Sequence, residues 1–227
     1  MGDPLDARDT QATRVLDRLA EAYPDAAISL RFSNRFELLV AVILSAQCTD
    51  QRVNSVTADL FETYSTPAEF AEADQETLAE QLSSITYYNN KARYVRGAAR
   101  RIVDEHDGEV PDSMSALTDL PGVGRKTANV VLQHGHDVVE GIVVDTHVRR
   151  LSRRLGLTDE RYPESIEADL MDVVARDRWR EYTRLCIAHG RATCTARSPD
   201  CGECVLEDVC PSSKLDHDID LASGESW

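Results

Sequence analysis

Lysine is scarce in this chain. Three of the 25 basic residues are lysine (Lys91, Lys126 and Lys214), and the other 22 are arginine. Positive charge is short overall, since 40 Asp and Glu leave a net charge of −15. Such a surface lacks the broad basic patch that most nucleic-acid binders carry. It fits a salt-rich, halophilic cytoplasm, where the Debye length falls to about 3 Å and acidic self-repulsion is screened. Long apolar runs are missing as well. The longest, residues 38–44, falls far short of the roughly 20 residues a bilayer span needs. The acidic start MGDPLDARDT has no apolar stretch of the kind secretory signals use, so a cytoplasmic protein is expected. Strand patterns are lacking too, and the one β-like run, 142–144, is too short for a sheet. No internal repeat is visible.

Helical periodicity is what the chain does have. Val15, Leu16, Leu19 and Tyr23 form one stripe that stops before Pro24. Asn34 and Glu37 are spaced as a capping box in front of an apolar segment, 36–46, which predicts a buried central helix. Further helices are expected from Thr49, after Asp74, from Asn89 or Asn90, and over 125–133, 146–155, 163–175 and 178–189. Gly156 and Gly190 are expected just beyond two helix ends. The tail from Pro211, rich in Ser, Asp and Gly, reads as mobile. The class is all-α.

Between two of these helices lies Leu120-Pro121-Gly122-Val123-Gly124-Arg125-Lys126-Thr127. Paired glycines allow a tight turn and leave amide N–H groups uncovered. The turn feeds a helix start, whose first N–H groups lack partners and carry the positive end of the dipole. Gly122, Val123, Gly124 and Arg125 therefore form a candidate phosphate cradle that needs few basic side chains. A plain helix corner is the alternative. A P-loop is excluded, because the spacing is not Gly-x4-Gly-Lys and no strand precedes it.

Lys126 sits in the first turn of that helix, where the dipole disfavours a cation. That field, with any partial burial, is expected to lower its pKa and leave a nucleophilic amine. Arginine cannot replace it chemically, because a guanidinium stays protonated. Asp145, which opens Asp145-Thr146-His147-Val148, reads first as an N-cap. His147 is either a proton relay or a structural histidine. Near the C-terminus Cys194-x6-Cys201-x2-Cys204-x5-Cys210 places four thiols in one loop, suited to zinc or to a [4Fe–4S] cluster; spacing leaves both open. Cys48 and Cys186 read as buried core thiols on apolar helices.

Three of these stretches together resemble the endonuclease III family of DNA repair enzymes. They are LPGVGRKTANVVL over 120–132, Val144-Asp145-Thr146-His147, and the cysteine loop after Ala188-His189-Gly190-Arg191. Ser45-Ala46-Gln47-Cys48-Thr49-Asp50 resembles the same family's SAQ-x-TD segment. The likeness runs over about residues 12–210. It implies two helical domains flanking a DNA-binding cleft. One is a six-helix barrel with a helix-hairpin-helix, near 28–138. The other, from 1–27 and 139–227, carries a [4Fe–4S] cluster on Cys194, Cys201, Cys204 and Cys210.

The resemblance further implies a bifunctional glycosylase and abasic-site lyase acting on duplex DNA as a monomer, without a membrane. Lys126 is the implied nucleophile, and Asp145 supports charge developing on the sugar. Gln47 fills the gap left by a flipped nucleotide, unless it merely ends its helix. Tyr87 is a candidate stacking wedge, although Thr86 and Tyr87 stand where the family commonly has Gly and Leu. Thr118 occupies a lesion-pocket position that is often acidic in relatives. Asp200, Glu203, Glu207 and Asp208 make the cysteine loop acidic where the family's is basic, although Arg191 and Arg197 are candidates to reach phosphate. A monofunctional mismatch or alkylation glycosylase, or a non-catalytic DNA-binding module, are the alternatives.

Overall fold

The structure is a computed structural model that describes residues 4–213 and 215. Of the tail expected to be mobile, Lys214 and residues 216–227 lie outside the described residues. Among those described, the ordered elements are helices, and no strand occurs. None of the helices is long and apolar enough to cross a membrane. The chain divides into two compact units, Ile28–Glu140 and Met1–Ala27 with Gly141–Trp227.

The Ile28–Glu140 unit is organised around α2 (Arg35–Ser45), in which Phe36 and every residue from Leu38 to Leu44 are buried. A helix apolar on all sides must be covered on all sides. Here α3 (Asp50–Thr63), α6 (Tyr88–Glu105) and α8 (Arg125–Val131) pack against it. Asn34 caps α2 by accepting from the Glu37 amide at 2.9 Å. The Glu37 carboxylate reaches one residue further back than a standard capping box, to the Ser33 amide at 2.6 Å.

α4 (Pro67–Glu72) has a full capping box from Thr66 and Glu69 with Pro67 opening the helix. It packs on α6, as does α5 (Gln75–Gln81). α4 went unread in the sequence because its single turn and a half buries too few residues for periodicity to register. α6 begins at Tyr88, slightly earlier than Asn89 or Asn90. α7 (Met114–Asp119) leads into the hairpin and α8. Past Val131 the coil loosens into a π-helical turn, Leu132–His136, instead of continuing as α-helix to 133.

In the other unit α1 (Pro4–Ala22) lays Ala12, Val15, Leu16 and Leu19 against α10 (Pro163–Val173) and α11 (Trp179–Ala192). α9 (Thr146–Arg154) packs against α11. Gly156 is left-handed at φ 70°, as a residue beyond a helix end should be. Gly190 is a correction, because it lies inside α11. A Cβ there would stand 2.6 Å from His147 Nδ1 and 2.9 Å from Arg150 Nη2, so its missing side chain permits α9 to approach.

Candidate functional site

The hairpin is built from its buried residues outward. Leu120 and Val123 are buried and pin the turn, with the Val123 amide donating to Leu120 O at 3.1 Å. Gly122 is left-handed at φ 78°, and a Cβ on it would meet the Tyr94 side chain at 2.6 Å. Glycine is therefore required there twice over, by backbone hand and by the close approach of α6. Gly124 differs: its φ is −96° and nothing lies within 4 Å of a Cβ built on it. It begins α8 with no side-chain cap hydrogen bond to the helix's first amides. Val123 contributes only its backbone to the candidate cradle, since its side chain faces inward.

Arg125 and Lys126 are exposed on the first turn of α8. The partial burial considered for Lys126 is absent. Its place at the positive end of the helix remains.

Gln47 and Tyr87, separated by forty residues of sequence, share a backbone peculiarity. Gln47 has φ 53° and Tyr87 φ 58°, both left-handed. Such a conformation costs a side-chain-bearing residue roughly 1–3 kcal/mol unless its surroundings enforce it, and it clusters at ligand-handling turns. Both side chains are exposed; Tyr87 stands 61% accessible. Tyr88 packs against the core. Thr118 is exposed on α7 and donates back to Met114 O at 2.9 Å. Cys48 lies half-buried in the turn between α2 and α3, not on a helix, whereas Cys186 is fully buried in α11.

Asp145 begins α9. Its Oδ1 accepts from the amides of His147 and Val148, each at 2.8 Å. His147 is held in place: Arg150 Nη2 donates to its Nδ1 at 3.1 Å, and burial first, then Arg150 and Arg191, push its pKa down. The nearby Asp145 carboxylate opposes that shift without reversing it.

Cys194, Cys201, Cys204 and Cys210 ring one pocket, walled by Leu151, Leu155, His189 and Leu206. None of the four is in a disulfide. Among the described residues, no three His, Cys, Asp or Glu converge closely enough to hold a single ion. Four sulfurs around a shared space without a common focus suit a polynuclear cluster, in which each iron takes one thiolate, better than tetrahedral zinc. Donors to sulfur are in place: Arg154 Nη1 lies 3.2 Å from Cys194 Sγ, and the Leu206 amide 3.4 Å from Cys204 Sγ. His189 Nε2 is 3.5 Å from Cys204 Sγ, and its Nδ1 meets the Tyr23 hydroxyl at 2.9 Å. Burial drives that imidazole down to about 4, keeping it neutral.

Arg154 also donates to Thr195 O at 2.8 Å and Ala196 O at 3.0 Å, while Arg150 donates to Cys194 O. From α1, Gln11 donates to Val209 O at 2.6 Å, and Arg18 pairs bidentately with Asp208. The acidic residue that seemed to oppose DNA binding thus has a local partner. Sequence reasoning missed His189, Arg150, Arg154, Gln11 and Arg18 as supports of the loop. The arginine pair one turn apart on α9 was the available signal, but arginine is too common in this chain to stand out.

Residues 40–176 match the family described as HhH-GPD superfamily base excision DNA repair protein, and residues 194–210 match the iron-sulfur binding domain of endonuclease III. Endonuclease III of Synechocystis is 49% identical over 90% of this chain and 93% of its own length. That of Escherichia coli K12 is 42% identical over 86% and 92%. Among solved structures, a trapped endonuclease III–DNA covalent intermediate superposes with a TM-score of 0.87 at 42% identity, over 91% of this chain and 97% of that one. A thermostable thymine-DNA glycosylase shares the fold with a TM-score of 0.79 at 18% identity, over 92% and 99%.

Proposed function

Because the chain belongs to the endonuclease III family of base excision DNA repair proteins, we propose that it is a bifunctional DNA glycosylase and abasic-site lyase with Lys126 as its nucleophile. The observation that carries this reading is an exposed lysine in the first turn of α8, directly after a glycine turn that gives the helix no side-chain cap hydrogen bond. The amides of 122–125 hold backbone phosphate of a duplex whose oxidised pyrimidine is flipped out. Gln47 fills the vacated space, and Tyr87 stacks at the opened step.

The amine of Lys126 attacks the sugar C1′, and the C1′–N bond breaks with its electron pair leaving on the base. Ring opening gives a Schiff base. Loss of a C2′ proton then expels the 3′ phosphate by β-elimination, cutting the strand 3′ to the lesion. The Asp145 carboxylate stabilises positive charge as it develops on the sugar. Cys194, Cys201, Cys204 and Cys210 hold a [4Fe–4S] cluster, which when bound cross-links four points of one loop. A DNA substrate places the work at the nucleoid, in the cytoplasm.

Borohydride trapping on duplex DNA containing thymine glycol tests the proposal. Wild-type protein is expected to form a covalent DNA adduct and Lys126→Gln none. An adduct undiminished in the variant would move the nucleophile elsewhere. Base release without any adduct, in wild type, would point to a monofunctional glycosylase.

A further inference from the structure

Lys91 is the one described lysine without a place in the reaction above, and it is 4% exposed. Burying an ammonium is costly unless its donors are met. Here it is met by main chain rather than by a carboxylate: Nζ donates to Leu44 O at 2.9 Å and to Ala46 O at 2.5 Å. Those carbonyls lie at the C-terminal end of α2, where the helix dipole favours a cation and carbonyls lack helical partners. The neighbouring carbonyls are met locally, Val42 O by the Ser45 hydroxyl at 2.8 Å and Ser45 O by the Cys48 amide at 3.0 Å. Lys91 thereby completes the satisfaction of the turn that carries Gln47.

The same residue anchors the second turn through its main chain. Its amide donates to Tyr87 O at 3.1 Å, closing the first turn of α6. One side of Lys91 thus grips the segment before Gln47, and the other grips the residue that is Tyr87. The described non-glycine residues with positive φ are Gln47, Tyr87, Asp107 and Asp137. Aspartate tolerates that region through local hydrogen bonding, whereas glutamine and tyrosine do not. The two turns strained against their residue type are the two held by Lys91, one by its ammonium and the other by its main-chain amide. Strain of that kind persists only where neighbouring structure over-determines it.

We propose that Lys91 is a positioning residue that fixes the Gln47 and Tyr87 turns at a set separation, so that both side chains enter the duplex together when a nucleotide is flipped. The assignment rests on the reading of Gln47 and Tyr87 as the residues that enter DNA. Lys91→Met keeps the length of the side chain and removes its donors; Lys91→Gln restores amide donors on a shorter stem. Neither touches the reacting atoms.

The test compares two substrates and one equilibrium. A lesion inside a paired duplex must be flipped, whereas an abasic site in single-stranded DNA needs no flipping. Lys91→Met is expected to lower kcat on the paired lesion by about 10–100-fold, the scale of an ångström misplacement, while strand cleavage at the single-stranded abasic site stays near wild type. Lys91→Gln should recover part of the loss. Fluorescence of 2-aminopurine paired opposite the lesion, which reports unstacking, should fall in step with kcat. Gln47→Ala added to Lys91→Met should cost far less than it does in wild type, because the turn it occupies is already released.

Equal losses on both substrates, at matched folding by circular dichroism, would reduce Lys91 to a packing residue. Wild-type flipping in both Lys91 variants, with flipping lost in Gln47→Ala and Tyr87→Ala, would overturn this proposal alone. Unchanged flipping in Gln47→Ala and Tyr87→Ala would instead overturn the assignment beneath it. If Lys91→Met does not fold, the Lys91→Gln ratio of paired to single-stranded activity decides the matter on the same terms.

Discussion

The Asp145 carboxylate accepts from two amides of α9 at 2.8 Å, so it caps that helix whatever else it does. The two roles separate by substitution, because asparagine caps as well as aspartate and carries no charge. Asp145→Asn is expected to unfold within about 0.5 kcal/mol of wild type, and Asp145→Ala about 1 kcal/mol below it. Both should lose strand cleavage by about 10²–10³-fold, the cost of removing one stabilising group at a charged transition state. Urea unfolding and cleavage of thymine glycol DNA read the two effects. Full activity in the asparagine variant would leave Asp145 a cap and nothing more. At this scale the sequence was most legible: the glycine turn, Lys126 and the four cysteines are spaced in ways few other chemistries use. Lys91 was not legible, since nothing in the string Asn89-Asn90-Lys91-Ala92 marks a lysine whose acceptors are carbonyls more than forty residues earlier.

Between elements, α9 and α11 are joined by groups that stay protonated in the fold. Tyr182 is fully buried, and its hydroxyl meets Ser152 Oγ at 2.7 Å. Burial above all, with Cys186 close by, pushes the phenol well above its usual range, and burial likewise pushes the Cys186 thiol up. The unfolded chain releases these protons at about pH 8.5 for a thiol and about pH 10 for a phenol. Above those values the unfolded state binds fewer protons than the fold, so stability falls as pH rises, by up to about 1.4 kcal/mol per pH unit per group. The contribution is fully present below about pH 8. Urea midpoints are expected to be level from about pH 7 to 8 and to drop from about 9 upward. Tyr182→Phe should cost about 1 kcal/mol at neutral pH and show a shallower alkaline decline; parallel declines would refute the assignment. Helix positions here were largely readable from periodicity. The exceptions were short α4, the π-helical turn after α8, and Gly190, whose role is set by α9 pressing on α11.

Across the whole molecule, the charge of −15 poses the problem of holding a polyanion. On the proposed reading, main-chain amides at the hairpin hold it with few cations. Each neutralised phosphate adds about 0.9 to the slope of log affinity against log salt. Duplex affinity measured by fluorescence anisotropy is therefore expected to fall with KCl more gently than for a protein neutralising about six phosphates. A steep slope would show that the arginines, and not the amides, carry the binding. Added KCl should also raise the melting temperature by screening self-repulsion.

What the amino-acid order determined unaided was the all-helical class, the hairpin and the cysteine loop, because each depends on residues close together in the chain. Helical period, turn glycines and ligand spacing are local, and local physics can be read along a line. Tertiary structure alone decided which long-range groups hold these pieces in place: Lys91 beneath two strained turns, Arg154 and His189 against cluster sulfurs, and Gln11 and Arg18 on the cysteine loop. Those contacts arise from helix packing, where a side chain's partner is chosen by distance in space and by the need to satisfy every buried donor.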